Sequence, residues 1–334
     1  MKISSLAGIF LVVISFHTSC SSDRELDDWQ SVTIAEGTPL RGICFLSQDT
    51  GFAWGGFKNR SSFIKMTADG GLTWRTLWES SEKCIYTLTI TPDGRGVAGG
   101  DSLFMLQSHD GGNSWFFFWL ADSVPMHSFN RPAFRNIAAS SQMIAMAAGE
   151  NFKKGVLYAS FDKGKTWTYQ FYSHELTGVS FLNDSIALAT GNGLLLLLLN
   201  PYQGFKPIIL PFEGDFWTSA IPWKKGFLIT SRSSSIYYFN PITSSLKKIK
   251  KESFWPGDQP GLSCITTAEG IIVAAGDRGY FCWSNDEGNT WEASTLPQPF
   301  DIHGLKIHKG FIWFATSGGN VYQLPLQQIK PLKN

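Results

Sequence analysis

One eight-residue phrase, Ser/Thr-x-Asp-x-Gly-x-Ser/Thr-Trp, is written four times in this chain, at residues 67–74, 108–115, 160–167 and 284–291. At ordinary residue frequencies such a phrase arises about once per million positions, so four copies report an internal repeat. The repeat decides the fold; the function has to be read from elsewhere.

Each phrase closes the same grammar: an apolar run, a turn, a second apolar run ending in small residues, then a third run. Arg41-Gly-Ile-Cys-Phe, Gly51-Phe-Ala-Trp-Gly-Gly and Ser62-Phe-Ile-Lys-Met lead into the first copy. Short strands punctuated by Gly, Asn and Asp, four to a unit of about 40 residues, describe a propeller blade. The long interval between Asp162 and Asp286 holds two units without the phrase, one around Thr177-Gly-Val-Ser-Phe and one around Phe227-Leu-Ile-Thr. After the fourth copy only three strands remain, and the segment around Asp28-Trp29 resembles the strands that follow the phrase. The expectation is an all-β, seven-bladed propeller of four-stranded antiparallel blades, closed by the N-terminal strand; six or eight blades also fit the pattern. The leucine run at 194–199 is too short to cross a bilayer and reads as a strand buried between blades.

The N-terminus carries Lys2, an apolar stretch at 6–16 and Thr18-Ser19-Cys20. This is a targeting segment. It resembles a bacterial lipoprotein signal in which Cys20 is lipidated, although His17 departs from the usual leucine; an ordinary secretory signal is the alternative, and both export the protein. The division is a signal peptide at 1–19, a tether at 20–27 and the propeller at 28–334. Attachment through a lipid at Cys20 is the only membrane contact expected, and it places the chain in the bacterial cell envelope. Four further cysteines, Cys44, Cys84, Cys264 and Cys282, read as buried thiols more readily than as a disulfide framework. A formal net charge of +1 argues against nucleic acid as a partner.

Within the phrase, the Asp and Ser/Thr side chains suit a tight turn, the Gly tolerates positive φ, and the Trp opens the outer strand. Asp69, Asp110, Asp162 and Asp286, with Trp74, Trp115, Trp167 and Trp291, therefore read as structural, with no metal or cofactor implied. The phrases occupy one face of the ring. On the opposite, upper face, alignment of the blades on their glycines places Arg41, Arg135, Thr177, Trp217 and His303 around the channel mouth. Turns add Lys58, Arg60, Lys153, Lys154 and Arg278, and two long connections at 121–132 and 253–261 bring His127, Arg131 and Trp255. Guanidinium groups and exposed aromatics on loops held by a rigid scaffold suit a carboxylate, a phosphate or an acidic partner segment. The candidate ligand-binding set is Arg41, Arg60, Arg131, Arg135, Trp217, Trp255 and His303.

The four phrases resemble the Asp-box or BNR repeat. Together with Gly51-Phe-Ala-Trp-Gly-Gly, the phrase at 67–74 looks like the photosystem II stability/assembly factor-like propellers found in many non-photosynthetic bacteria. The resemblance implies a non-catalytic scaffold that binds other proteins, in some members through a basic patch on one face; the expectation for this chain is a monomer that binds a protein or glycan partner through its upper face. Sialidases also use such propellers, so a glycoside hydrolase is the alternative. Phe134-Arg135-Asn136-Ile137 resembles their arginine motif but lacks its proline, and no Tyr/Glu nucleophile pair can be assigned.

Overall fold

The computed structural model describes residues 26–118, 132–150, 152–200, 203–208, 214–250 and 260–330. They form seven four-stranded antiparallel sheets, the blades of one propeller. Blade one consists of β2 (Leu40–Phe45), β3 (Gly51–Gly55), β4 (Ser62–Thr67) and β5 (Arg75–Ser80), running from the channel outward. The innermost strands of blades two to six are β6 (Ile85–Ile90), β10 (Ala133–Ala139), β14 (Leu176–Phe181), β18 (Trp217–Trp223) and β22 (Leu262–Ala268).

Blade seven is where the chain ends meet. Its inner strands are β26 (Ile302–His308), β27 (Phe311–Thr316) and β28 (Asn320–Pro325), and its outer strand is β1 (Gln30–Thr33), paired antiparallel with Gln30 opposite Gln323 and Thr33 opposite Asn320. The N-terminal strand thus closes the ring, as the sequence pattern required, and leaves no blade incomplete. Leu26, in the stretch read as a tether, is buried against the interface between blades six and seven.

The hydrophobic core lies between the blades rather than inside any of them. Seven clusters of buried side chains, one for each blade junction, are found among the described residues. A strand sandwiched between two junctions is apolar on both faces, which explains the leucine run. In β16 (Leu195–Leu198), Leu195 and Leu197 face blade five, whereas Leu196 and Leu198 face blade three.

The four eight-residue phrases build identical hydrogen-bonded turns between the third and fourth strands of their blades. In the second, Ser108 Oγ donates to Asp110 Oδ1 at 2.8 Å and accepts from the Gly112 N–H at 2.9 Å. Asp110 in turn accepts from the Ser114 N–H and hydroxyl, at 2.9 and 2.6 Å. Trp115 Nε1 caps the Gly112 carbonyl at 2.9 Å. Gly112 sits at φ +89°, and a Cβ there would meet the Phe52 ring, so glycine is required twice over. The aspartate oxygens are spent on the turn.

Candidate functional site

Each innermost strand starts with a β-bulge, and the extra residue is the same structural position in every blade: Arg41, Tyr86, Arg135, Thr177, Thr218, Ser263 and His303. A bulge leaves one residue out of the ladder and re-aims its side chain. All seven side chains line a cavity of about 420 Å³ at the channel mouth. A second tier comes from the upper-face turns and connections: Phe152, Glu175, Phe216, Arg232, Gly261 and Asp277.

The ring is lopsided. Thr177, Thr218 and Ser263 each donate to a main-chain carbonyl of the next blade, those of Trp217, Leu262 and Ile302, all at 2.6 Å. These short side chains stitch blades four to seven together. His303, Arg41, Tyr86 and Arg135 fill the other side. The Tyr86 ring lies between the two guanidinium groups, with Arg41 Cζ 5.3 Å and Arg135 Cζ 5.6 Å from its centroid.

The two arginines differ in how far they are satisfied. Arg135 pairs with the buried carboxylate of Glu175 at 3.2 Å and donates from Nε to the Gly149 carbonyl. Arg41 has no acidic partner within 4.0 Å among the described residues; its Nη1 instead meets His303 Nε2 at 3.2 Å, and its buried Nε has no hydrogen-bond partner. Burial, then the Arg41 charge, pushes the His303 pKa down to about 4, against a smaller opposite pull from Asp301. Desolvation likewise drives the Tyr86 hydroxyl well above its ordinary value, so it stays protonated.

The cavity also holds carboxylates, but they are committed. Glu175 accepts from the Phe152 N–H at 3.0 Å besides pairing with Arg135, and Asp277 accepts from the Gly261 N–H at 3.1 Å. Phe152 and Phe216 make an edge-to-face pair at 5.4 Å, and the Arg232 guanidinium lies 5.0 Å from the Phe216 centroid. These rings form an aromatic lip on the hydroxyl side. No cluster of three or more His, Cys, Asp or Glu side chains suited to a metal is found among the described residues.

Four residues that the sequence assigns to the mouth lie there: Arg41, Arg135, Thr177 and His303. Trp217 does not. It pairs with Ser231 one position before the bulge, and its side chain is fully buried in the core between blades four and five; Thr218 occupies the ring position. A one-residue shift along a strand exchanges its two faces. Tyr86 and Ser263 were missed because their blades carry Thr87 and Cys264 where blades one, four and seven carry Gly42, Gly178 and Gly304. A better signal runs through all seven blades: a large apolar residue, the bulge residue, then a small one. Leu40, Ile85, Phe134, Leu176, Trp217, Leu262 and Ile302 supply the first, each at most 1% exposed. Arg60 is exposed in its turn, outside the cavity lining, as are Lys58, Lys153, Lys154 and Arg278. Cys20, His127, Arg131 and Trp255 lie outside the described residues. The remaining four cysteines are free thiols, two of them buried and two half-buried.

Fold and mouth together define a seven-bladed propeller with a polar, partly cationic cavity on one face. No protein-family model matches the chain, and no curated protein does. Solved structures share its fold. A structure of YCF48 bound to D1 peptide is 16% identical with a TM-score of 0.69, covering 93% of this chain and 98% of that one. YCF48 from Cyanidioschyzon merolae is 15% identical with a TM-score of 0.64, covering 90% and 99%. The WD40 propeller domain of Doa1 is 11% identical with a TM-score of 0.67, covering 89% and 96%.

Proposed function

We propose that this chain is an exported, non-catalytic propeller that binds a protein segment carrying carboxylates at its upper mouth. The observation that carries the reading is Arg41: a guanidinium projecting into a rigid cavity, without an acidic partner among the described residues and with its Nε unsatisfied. Such a group is completed by an incoming carboxylate. The aromatic lip of Phe152 and Phe216 offers apolar contact beside it. One neighbour in fold is consistent with a binding role, since that YCF48 structure holds a D1 peptide.

Hydrolysis is the less favoured reading. The two carboxylates in the cavity, Glu175 and Asp277, already serve main-chain donors, and Glu175 also serves Arg135. A glycan partner remains the alternative ligand for the same mouth. Tethering through a lipid on Cys20 would present the monomeric propeller from the membrane surface of the cell envelope.

Affinity capture from native membranes tests the reading. Wild type should recover a protein partner that the Arg41→Ala/Arg135→Ala variant loses; unchanged recovery of every partner would remove the mouth as the site. Replacing Cys20 by Ser should release the protein into the soluble fraction, and persistent membrane association would refute the anchor.

A further inference from the structure

The contact between Arg41 and His303 fixes a protonation state. A guanidinium only donates hydrogen bonds. Nε2 of His303, 3.2 Å from Arg41 Nη1, must therefore accept, which puts the ring proton on Nδ1 and leaves the imidazole neutral. The ring is held against the Arg41 guanidinium, which has no acidic partner within 4.0 Å among the described residues, although the buried Asp101 carboxylate acts with it on Cys84 and Tyr86.

The groups around His303 reinforce this. Arg41 meets it from β2; Cys44 on β2 and Cys264 on β22, the two flanking strands, feel the charge of Lys306 further along β26. Asp277 and Arg278 lie in the turn packed against β26, and Asp301 immediately precedes that strand. Lys306 and His308 share the strand, and β27 carries no titratable side chain. Both thiols are pushed up, Cys44 to about 11 and Cys264 to about 12, and so stay neutral. Asp277 and Asp301 each accept a main-chain N–H, from Gly261 and Arg278, and neither lies within 4.0 Å of the Arg41 guanidinium.

A carboxylate entering the mouth changes both conditions at once. It neutralises Arg41, and it offers Nε2 an acceptor where the guanidinium had been a donor. Opposite charge and hydrogen bonding to the charged form both favour imidazolium. We infer that the mouth clasps a peptide carboxylate between Arg41 and His303, and that one proton moves from solvent to His303 Nε2 as the complex forms. This rests on the reading of the mouth as a protein-binding site and adds to it a ligand group and a control by pH. The carboxylate has two sources in a protein partner, an acidic side chain or a free chain terminus.

Calorimetry on the full-length protein tests the inference with two probes: acetyl-trialanine with a free C-terminus, and acetyl-triglutamate with an amidated one. If His303 rises from about 4 in the free protein to about its ordinary 6.5 in the complex, affinity is about tenfold higher at about pH 5.5 than at about pH 7.5. Enthalpies compared in buffers of different ionisation heat should then report an uptake close to one proton at the lower pH. That measurement needs no variant. In His303→Gln the tenfold ratio should collapse toward one. Which probe binds identifies the source of the carboxylate. Equal affinity at both pH values, no proton uptake, or a ratio that survives in His303→Gln overturns the coupling. Failure of both probes to bind overturns the carboxylate clasp, while partner loss in the Arg41→Ala/Arg135→Ala capture would still uphold a protein-binding mouth.

Discussion

Removal of the phrase tryptophans one at a time separates a structural role for the repeat from any other. Trp115 is 5% exposed and belongs to the core between blades one and two. Trp74, Trp167 and Trp291 are half-buried at the margins of their junctions. A tryptophan buries roughly 150–250 Å², which at about 25 cal/mol per Å² is worth about 4–6 kcal/mol when burial is complete. Trp115→Ala also deprives the Gly112 carbonyl of its donor. The neighbouring glycines cannot refill the space, and Phe52 and Ile90 are held by their own strands. The expected cost is therefore about 4–5 kcal/mol, near the upper part of the range for large-to-small core changes. For the three half-buried residues the same reasoning gives about 2–3 kcal/mol.

Against a total stability of about 5–15 kcal/mol, Trp115→Ala should move the urea midpoint far more than the other three changes. Trp115→Phe keeps most of the apolar contact and loses the indole N–H, so it should cost only about 1–2 kcal/mol. Far-ultraviolet circular dichroism is the appropriate probe, because removal of a tryptophan alters fluorescence directly. The reasoning fails if Trp115→Ala is no less stable than Trp291→Ala, or if Trp115→Phe is as damaging as Trp115→Ala.

Three further outcomes follow from the geometry. The hydroxyls of Ser114 and Thr166, the leading cause in each case, help hold Asp110 and Asp162 at about 2; their contribution is present above the unfolded value of about 4 and is lost as pH falls toward 2. Asp110→Asn/Asp162→Asn should therefore flatten the fall of the urea midpoint across that window, and an unchanged slope would contradict it. Thr218→Val removes the donor to the Leu262 carbonyl and should lower stability by about 1–3 kcal/mol in urea unfolding, whereas a neutral effect would mean that the stitch between blades five and six is idle. With Cys20 replaced by Ser, the buried Cys84 and Cys282 should resist a thiol reagent in the native state more than the half-buried Cys44 and Cys264, and all four should react on unfolding; fewer than four would disclose a disulfide.

The architecture was legible because every blade spells it out in local terms. Apolar runs of strand length, turns at regular intervals and the Trp29 segment matching the ends of other blades together specify seven sheets and the closing strand. The mouth was only partly legible, for a reason of register. Glycine after the bulge reflects close packing of inner strands, as at Gly304, where a Cβ would stand 2.8 Å from the Gly42 Cα. Where Thr87, Ser219 or Cys264 takes that place, the anchor disappears from the sequence, and Tyr86, Thr218 and Ser263 go unassigned. Trp217 then looks like a mouth residue because it is large and aromatic, although that size is what commits it to the core. Charge pairing was out of reach altogether: Glu175 and Arg135 meet across 40 residues, and only the folded ring shows that Arg135 is matched while Arg41 is not.

The substitutions that hid the ring also account for its asymmetry. Inner strands of adjacent blades need a bond between them, and at three junctions the bulge hydroxyls of Thr177, Thr218 and Ser263 provide it. At two others the following residue takes over: Thr87 Oγ1 accepts the Ile137 N–H and Asn136 Oδ1 accepts the Val179 N–H, both at 2.9 Å. Moving the stitch one residue along the strand releases the bulge positions themselves, Tyr86 and Arg135, to reach into the cavity. At the junction of blades seven and one the Gly304 and Gly42 backbones pack directly, and His303 is released to meet Arg41. The half of the ring with hydroxyls at its bulges holds blades four to seven together, and the other half carries the cationic groups Arg41 and Arg135. The residues that combine long side chains with displaced stitches are thus the ones through which this mouth would recognise a carboxylate.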